Sequence, residues 1–273
     1  MPFIDIGSAA LRYQTSGNGS DLIVLIHELG GTLESWDAVL PRLTGKMRVL
    51  TYDMRGAGCS EKLRGPVSYQ EMAADLAALL DALDMDEPVF LAGPAVGAGI
   101  ALAFSAAYPE RTRGVVAMSP SAWVAEEHRP FALALVERIA QGGLRDKVEM
   151  AVAPAFPPSL AIDPAIYRDY VAQWLGNDPQ SYAELYRMLV NSTLREQLAD
   201  IRCPVLAIAG THDVVRPSAL VAETVALIPG AMLIELPSGH FMPVQTPNLV
   251  AAEILKFVDA YPFKHAASQI PSS

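Results

Sequence analysis

Apolar and polar residues follow one another along the chain in blocks that predict strands and helices in turn. Continuous apolar runs such as DLIVLIH, at 21–27, are typical of strands that are buried on both faces of a sheet. Further apolar runs of this kind lie at 47–53, 88–92, 114–120, 203–210 and 231–237. Ahead of them, FIDI and ALRYQTSG, at 3–6 and 10–17, predict an opening antiparallel pair.

Between the apolar runs, hydrophobic residues recur at the spacing of an amphipathic helix. The helices predicted from this pattern cover 32–45, 68–85, 96–108, 217–228 and 247–260. Ser68 and Glu71 form a capping-box pattern at the start of the second helix. Because strands alternate with helices, the predicted fold class is α/β, with a doubly wound and mostly parallel sheet.

The segment 121–200 breaks this alternation. It contains helical patterns and proline-rich joints but no convincing strand pattern. The helical patterns lie at 131–140, 164–175 and 181–199, and a proline-rich joint lies at 153–159. We therefore predict a helical cap over 121–200, inserted above the carboxyl edge of the sheet into an α/β core made of 1–120 and 201–273. The polar tail, 265–273, is expected to fray.

Composition narrows the classes of partner. The chain has 273 residues, 51% hydrophobic and 18% charged, as in a globular protein with a sizeable core. Its 20 Lys and Arg against 30 Asp and Glu give a net charge of −10, which argues against nucleic acid and anionic membranes as partners. Its two cysteines indicate neither a disulfide framework nor a cysteine metal site. Because no signal-peptide pattern and no apolar run of membrane-spanning length is found, we expect a cytoplasmic protein. The expected oligomeric state is a monomer or a homodimer, and the sequence does not distinguish the two.

Candidate chemistry lies directly after the predicted strands, because open α/β sheets bind ligands outside the carboxyl ends of their strands. The segments at these positions are HELGG (27–31), DMRGAGCS (53–60), GPAVGAG (93–99), GTHDVVRP (210–217) and PSGHFMPVQTP (237–247). GPAVGAG has the glycines of a G-x-S-x-G nucleophile elbow, Gly93 and Gly97, but its central residue is Ala95.

In this order, the five motifs resemble the α/β-hydrolase fold superfamily, and more narrowly its small cofactor-free esterases, enol-lactonases and C–C hydrolases. The resemblance covers essentially the whole chain. It implies a small-molecule substrate that is handled without a metal or an organic cofactor, and a G-x-G-x-x-G dinucleotide fingerprint is absent after the first buried strand. The motifs are specific for the fold and only weakly specific for the substrate, because this fold hosts many reactions.

The resemblance implies roles for individual residues. Asp213 stands where the family has its triad acid, which orients the catalytic histidine, and His240 stands at the position of the general base. The backbone N–H groups of Leu29 and Val96 stand where the oxyanion hole forms. Apart from the resemblance, an aspartate before a helix, such as Asp213 before the helix near Pro217, usually caps that helix, and most histidines are packed or surface residues, which is the alternative for His240.

For several residues near these positions, the motifs give only general expectations. Glu28 occupies a position where the family usually has glycine, and we expect its carboxylate to point to solvent. The 53–60 loop is expected to be structural, so Cys59 is not expected to act as a nucleophile. Ser119 and Ser121 are expected to be loop or substrate-contact residues. The candidate substrate contacts are Trp123, Val214 and Phe241.

Ala95 leaves three interpretations open. In the working prediction, the chain is a hydrolase of carboxylic esters or lactones whose serine nucleophile has been replaced by alanine, which makes it an inactivated variant. Alternatively, an Asp213–His240 dyad acts without a covalent step, as in cofactor-free oxygenases, lyases or C–C hydrolases, or the chain is a catalytically dead homologue that binds a ligand. Strained elbow conformations cost on the order of 1–3 kcal/mol and persist where function requires them, which favours an enzyme over a binding protein.

Overall fold

The computed structural model describes residues 2–262, in which eight strands form one sheet. The strands are β1 (Phe3–Asp5), β2 (Ala10–Ser16), β3 (Leu22–Ile26), β4 (Arg48–Tyr52), β5 (Val89–Pro94), β6 (Thr112–Met118), β7 (Val205–Gly210) and β8 (Met232–Leu236). Their order across the sheet is β1-β2-β4-β3-β5-β6-β7-β8, with β2 antiparallel to both of its neighbours and all other pairs parallel. The predicted mostly parallel sheet and its opening antiparallel pair are therefore confirmed. The predicted fraying of 265–273 lies outside the described residues.

Ten α-helices accompany these strands in the described part of the chain. They are α1 (Leu40–Leu43), α2 (Tyr69–Ala82), α3 (Val96–Ala107), α4 (Arg129–Gly142), α5 (Val148–Ala151), α6 (Pro164–Leu175), α7 (Pro179–Asn191), α8 (Ser218–Val225), α9 (Met242–Gln245) and α10 (Pro247–Ala260). Ser68 and Glu71 form the predicted capping box at the start of α2. Within residues 2–262, no helix has both the length and the apolar character needed to cross a membrane.

The predicted continuous helix over 32–45 is wrong. A 3-10 turn, Leu33–Trp36, is followed only by the short helix α1. Pro41 has no N–H to donate and its ring crowds the preceding turn, so a continuous helix cannot pass through it. Thr32 instead caps the 3-10 turn, where its hydroxyl accepts a hydrogen bond from the N–H of Glu34 (3.3 Å).

Different helices cover the two faces of the sheet. In β3, Ile23 and Leu25 pack with apolar side chains of α1 and α10, whereas Val24 and Ile26 pack with those of α2 and α3. Because successive side chains of a strand point to opposite faces, a strand that is covered on both faces must be apolar throughout. This two-sided burial explains the continuous apolar runs in the sequence.

Between β6 and β7 lies the helical insertion, residues 121–200, which contains α4 to α7. Its own apolar core brings Trp174 of α6 and Tyr182 of α7 together with side chains of α4. Helix α7 ends earlier than the 181–199 pattern predicts. The chain beyond it turns back to the core, where the N–H of Leu194 donates to the carbonyl of Ala122 (2.9 Å).

Gly97 allows α3 to approach β3 closely, which makes it a sensitive position for stability. A Cβ built on Gly97 would lie 2.5 Å from the carbonyl oxygens of both His27 and Ile26. Since main-chain atoms cannot move aside cheaply, we expect Gly97→Ala to lower the free energy of unfolding by about 1–3 kcal/mol, despite the higher helix propensity of alanine. Gly45→Ala is the matched control, because a Cβ there meets nothing within 4 Å, and its effect should stay within about 0.5 kcal/mol. Urea unfolding measures both changes, and equal losses would contradict the packing argument.

Candidate active site

The candidate site lies at the carboxyl ends of the parallel strands, and Ala95 stands at its centre. Ala95 joins β5 to α3 with φ 49° and ψ −113°, in a region that L side chains rarely adopt. Its N–H donates to the carbonyl of Met118 (2.9 Å). Its own carbonyl accepts from the N–H groups of Gly99 (3.1 Å) and Ser121 (3.0 Å). The backbone at Ala95 is therefore held in the strained strand-to-helix turn that a nucleophile elbow requires.

His240 and Asp213 form a hydrogen-bonded pair near this turn. His240 Nδ1 lies 2.8 Å from Asp213 Oδ2, and both side chains are buried. An ionised carboxylate can only accept hydrogen bonds, so this contact assigns the imidazole proton to Nδ1 and leaves Nε2 free to accept a proton. His240 and Ala95 line the same cavity. The fold thus brings together the three positions that the sequence motifs singled out.

The Asp213 carboxylate has hydrogen-bond partners on both of its oxygens. Its Oδ1 accepts from the N–H groups of Val215 (2.9 Å) and Arg216 (2.8 Å), and its Oδ2 also accepts from the Ser119 hydroxyl (2.7 Å). Burial favours the neutral acid, but the charge of His240 and these hydrogen bonds outweigh it, so the pKa of Asp213 lies below its ordinary value. Asp213 is therefore held as the anion that can orient and stabilise an imidazolium.

Ser119 lies in the loop directly after β6, and the structure gives it a more specific contact than the loop or substrate-contact role that the sequence suggested. It is fully buried, it adopts a left-handed φ of 42°, and its hydroxyl is directed to Asp213 rather than to the cavity. The position of Ser119 directly after β6 was the only feature of the sequence that pointed to the site. The contact with Asp213 could not be predicted, because the two residues are 94 positions apart. Ser119 is thus a positioning residue for Asp213.

Removal of the Ser119 hydroxyl is expected to weaken folding in a pH-dependent way. A carboxylate whose pKa is depressed by folding stabilises the native state above its unfolded pKa, about 3.9, and this stabilisation is lost as pH falls through the lower folded pKa. Ser119→Ala should therefore lower the free energy of unfolding by about 1–3 kcal/mol at neutral pH. The loss should shrink as pH falls from about 4 through the lower folded pKa, because Asp213 is protonated in both states only below that folded value.

Urea unfolding at neutral and acidic pH measures this effect of Ser119→Ala. Ser121→Ala is the matched control, because Ser121 lies two positions away and its effect on unfolding should not vary with pH in this way. A loss in Ser119→Ala that stays constant down to acidic pH would contradict the assignment.

Leu29 and Val96, the residues predicted to supply oxyanion-hole donors, both lie beside Ala95 at the cavity. Val96 is the first residue of α3, so its N–H has no acceptor within the helix. Leu29 lies in the loop after β3, and both residues line the cavity together with Ala95. Two N–H groups aimed at a developing oxyanion contribute a few kcal/mol to catalysis of acyl transfer.

The loop that carries Leu29 is fixed from the core side by His27. The Nε2 atom of this buried histidine accepts from the N–H of Met54 (3.1 Å), so its Nδ1 carries the proton and donates to the carbonyl of Glu28 (2.7 Å). His27 therefore ties the loop after β3 to the loop after β4.

Helix α6 of the insertion fixes the same loop from above. The Asn177 side chain, just beyond α6, donates to the carbonyl of Gly30 (2.9 Å), and Gln173 Nε2 donates to the Thr32 hydroxyl (2.7 Å). Gly30 has φ 80°, and a Cβ there would lie 2.5 Å from the Trp174 ring. The insertion thus packs directly on the loop that carries a candidate oxyanion donor.

Glu28 is buried, which corrects the expectation that its carboxylate points to solvent. Its side chain has 0% exposure, and its Oε1 accepts from the Ser35 hydroxyl (2.9 Å). The Tyr170 hydroxyl of α6 lies close by, and burial followed by the negative charge of Glu28 raises the pKa of Tyr170 well above its ordinary value. The expectation failed because the insertion, distant in sequence, covers this loop.

A cavity of about 320 Å³, here called the elbow cavity, opens beside Ala95. It is lined by Leu29, Ala95, Val96, Ser121, Met150, Ala151, Pro154, Ala155, Tyr182, Tyr186, Leu189, Val214, Val215, His240 and Phe241. Two predicted substrate contacts, Val214 and Phe241, therefore lie at the cavity, as does Ser121, which was expected to be a loop or substrate-contact residue, whereas Tyr182 had no specific signal as a lining residue. A mostly apolar cavity with a few polar groups is typical of a small-molecule site.

Trp123, the third predicted substrate contact, does not line the elbow cavity. It lines a separate cleft together with Arg195, whose guanidinium carbon lies 4.0 Å from the centre of the Trp123 ring. The carbonyl of Trp123 accepts from Arg216 Nη1 (3.1 Å), which fixes this segment outside the cavity. The predicted contact between Trp123 and substrate is therefore not supported.

The 53–60 loop is tied down by hydrogen bonds, as expected for a structural element. The carboxylate of Asp53 accepts from Arg12 Nε (2.6 Å) and from the N–H groups of Leu33 (2.9 Å) and Cys59 (2.7 Å). Cys59 is exposed and does not line the elbow cavity. Its thiol is therefore not placed to substitute for a nucleophile at the elbow.

Comparisons with known proteins give matches over most of the chain. The family model described as serine aminopeptidase, S33, matches residues 18–231. A provisionally assigned carbamate hydrolase of Azorhizobium caulinodans is 30% identical over 266 residues, which cover 94% of this chain and 98% of that protein. The 3-oxoadipate enol-lactonase 2 of Acinetobacter baylyi is 29% identical over 88% of this chain and 89% of its own. A crystal structure of a hydrolase from Pseudomonas aeruginosa matches with a TM-score of 0.87 at 29% identity, covering 94% of this chain and 97% of that one.

Proposed function

Since the chain belongs to the serine aminopeptidase S33 family and has the α/β-hydrolase fold, we propose that it is a hydrolase of carboxylic esters or lactones in which Ala95 replaces the serine nucleophile. One observation carries this proposal. Ala95 has the strained elbow geometry, φ 49°, beside a hydrogen-bonded Asp213–His240 pair, although a methyl side chain requires neither feature. On this proposal the chain is an inactivated variant of a cytoplasmic enzyme, monomeric or homodimeric, that acts on a small molecule.

In the serine form of the enzyme, the hydroxyl at position 95 attacks the substrate carbonyl while His240 Nε2 takes its proton. Asp213 stabilises the resulting imidazolium, and the N–H groups of Leu29 and Val96 donate to the oxyanion of the tetrahedral intermediate. The imidazolium then protonates the leaving alcohol oxygen, which leaves an acyl-enzyme. Water, activated by the same histidine, hydrolyses the acyl-enzyme and regenerates the serine.

With alanine at position 95, the covalent step has no nucleophile. The cavity, the oxyanion donors and the His240 base are retained, so the chain binds its substrate and leaves it intact or hydrolyses it slowly. In serine proteases that lack a triad member, binding and the oxyanion hole still give about 10³- to 10⁴-fold catalysis over water.

A side-by-side assay of the chain and its Ala95→Ser variant tests the proposal. The substrates are p-nitrophenyl butyrate and a short panel of lactones. The serine variant is expected to hydrolyse at least one of them far faster than the unaltered chain. If the unaltered chain turns over a substrate as fast as the variant does, the proposal is wrong.

The intact Asp213–His240 pair also supports a second candidate function. His240 Nε2 is the free ring nitrogen in a cavity where Ala95 presents only a methyl group, so the dyad is able to activate water or to accept a proton from a substrate without a covalent intermediate. In that case the unaltered chain turns over its substrate, His240→Ala abolishes the turnover, and Ala95→Ser changes it little. Ligand binding without turnover in either form would instead indicate a binding homologue.

A further inference from the structure

From the charges in and around the elbow cavity, we infer that the substrate is a neutral ester or lactone that carries no carboxylate or phosphate on its acyl or alcohol part. This inference rests on the proposed function and adds a substrate class to it. Two observations carry it, the lining of the cavity and the charges near it, and the volume of the cavity adds a limit on the size of the substrate.

The lining of the elbow cavity contains no lysine, arginine, aspartate or glutamate among the residues that the structure describes. Its polar side chains are the hydroxyls of Ser121, Tyr182 and Tyr186 and the imidazole of His240. An anionic substrate would exchange water for a surface without a cation to pair with, and burial of an unpaired carboxylate is strongly unfavourable. A neutral ester meets no such cost, because its chain matches the apolar lining.

Two buried carboxyl groups flank the catalytic positions. Asp213 is paired with His240, and Glu28 directly precedes Leu29, with its Oε1 accepting from the neutral Ser35 hydroxyl. The Asp213 carboxylate, held as an anion beside His240, disfavours a second anion near the reaction centre. The net charge of −10 on the whole chain acts in the same direction during diffusional encounter.

Arg216 adjoins this region, but its guanidinium is held by the core. Its Nε donates to the carbonyl of Pro120 (2.8 Å) and its Nη1 to the carbonyl of Trp123 (3.1 Å). Its Nη2 has no hydrogen-bond partner within residues 2–262, but this nitrogen is buried, and Arg216 does not line the elbow cavity. Recruitment of Arg216 to a substrate carboxylate would therefore require these hydrogen bonds to break.

The size of the elbow cavity suits a small substrate. A volume of about 320 Å³ corresponds to roughly ten water molecules at about 30 Å³ each, and hence to a ligand of on the order of ten non-hydrogen atoms. Short aliphatic esters and small lactones fall in this range.

A matched pair of esters tests the inference in the Ala95→Ser variant. Ethyl hexanoate and monoethyl adipate have acyl chains of equal length, and the second carries a carboxylate in place of the terminal methyl group. We expect kcat/KM for ethyl hexanoate to exceed that for monoethyl adipate by roughly a hundredfold or more, measured by acid release at constant pH. Equal values, or a preference for the adipate ester, would overturn the inference.

A cation placed in the cavity should reverse part of this preference. Leu189 lines the cavity on α7 and is only partly buried, so a lysine there is tolerated more easily than at a buried position. Leu189→Lys in the Ala95→Ser background is expected to shift the ratio of the two kcat/KM values toward the adipate ester by roughly tenfold or more. Leu189→Met is the matched neutral control and should keep the preference for ethyl hexanoate. A ratio that Leu189→Lys leaves unchanged would contradict the assignment of the charge-free lining as the cause.

Binding to the unaltered chain separates this inference from the proposed function. The Ala95 chain lacks the nucleophile, so ligand-observed NMR can compare the binding of the same two esters without the covalent step. If Ala95→Ser hydrolyses neither ester but the unaltered chain binds only ethyl hexanoate, the proposed hydrolysis fails and the neutral-ligand inference stands. If monoethyl adipate binds as tightly, or neither ester binds, the inference is wrong.

Discussion

Replacement of Ala95 by serine is expected to raise kcat/KM for p-nitrophenyl butyrate by roughly three to six orders of magnitude. Removal of a triad serine from a well-studied protease costs about a million-fold in kcat, and the reverse change should recover much of this factor where the other groups are in place. Here the backbone of position 95 is already in the elbow conformation, and the His240–Asp213 pair is already hydrogen-bonded. The added oxygen lies at the edge of the elbow cavity, where His240 is the base available to it.

A hydroxyl placed elsewhere in the same cavity is the matched control for Ala95→Ser. Ala151 also lines the elbow cavity and is partly exposed, but it belongs to the insertion and not to the elbow. Ala151→Ser should leave hydrolysis at the level of the unaltered chain. The interpretation fails if both serine variants gain activity equally, or if Ala95→Ser folds normally and gains less than about tenfold.

Asp213→Asn in the Ala95→Ser background is expected to lower kcat by roughly 10³- to 10⁴-fold. An asparagine amide that donates to His240 Nδ1 would stabilise the tautomer whose proton is on Nε2, and that tautomer cannot accept the serine proton. KM should change little, because Asp213 does not line the elbow cavity. Steady-state kinetics with p-nitrophenyl butyrate separate the two parameters.

Two further measurements make the Asp213→Asn result specific. Urea unfolding must show that the variant remains folded at the assay temperature. Ser119→Ala in the same background keeps the carboxylate and removes one of its hydrogen bonds, so it should lose about tenfold at most. A loss in Asp213→Asn no larger than that of Ser119→Ala would contradict the role of Asp213 as the triad acid.

The sheet and several helices follow from the sequence because their physical causes are local. β3 is apolar at every position because helices cover both of its faces. Helices α6 and α10 coincide with the predicted segments 164–175 and 247–260, each of which begins with a proline that is tolerated only in the first turn of a helix. The helix predicted over 32–45 failed for the same local reason, since Pro41 lies inside the pattern instead of at its start.

The candidate site could be predicted only in part, because motif order locates residues after strands but does not give their contacts. Asp213 and His240 were identified by their flanking motifs, and the fold brings them within hydrogen-bond distance. The expectation for Glu28 was wrong because a distant segment, α6, covers its loop. The contacts of Ser119 with Asp213 and of Trp123 with Arg216 also join distant segments, so the motifs could not indicate them. For such residues, tertiary contacts override any signal that the local sequence carries.

The hydrogen bonds that join α6 and the residues just beyond it to the loop after β3 have a consequence for chimeric proteins in which the insertion is exchanged. Asn177 and Gln173 join the insertion to Gly30 and Thr32, directly beside the candidate oxyanion donor Leu29. A chimera that receives a foreign insertion to change its specificity would also lose the contacts that hold this catalytic loop. In this protein the insertion and the loop therefore form one structural unit, and a foreign insertion would have to supply equivalent contacts to Gly30 and Thr32.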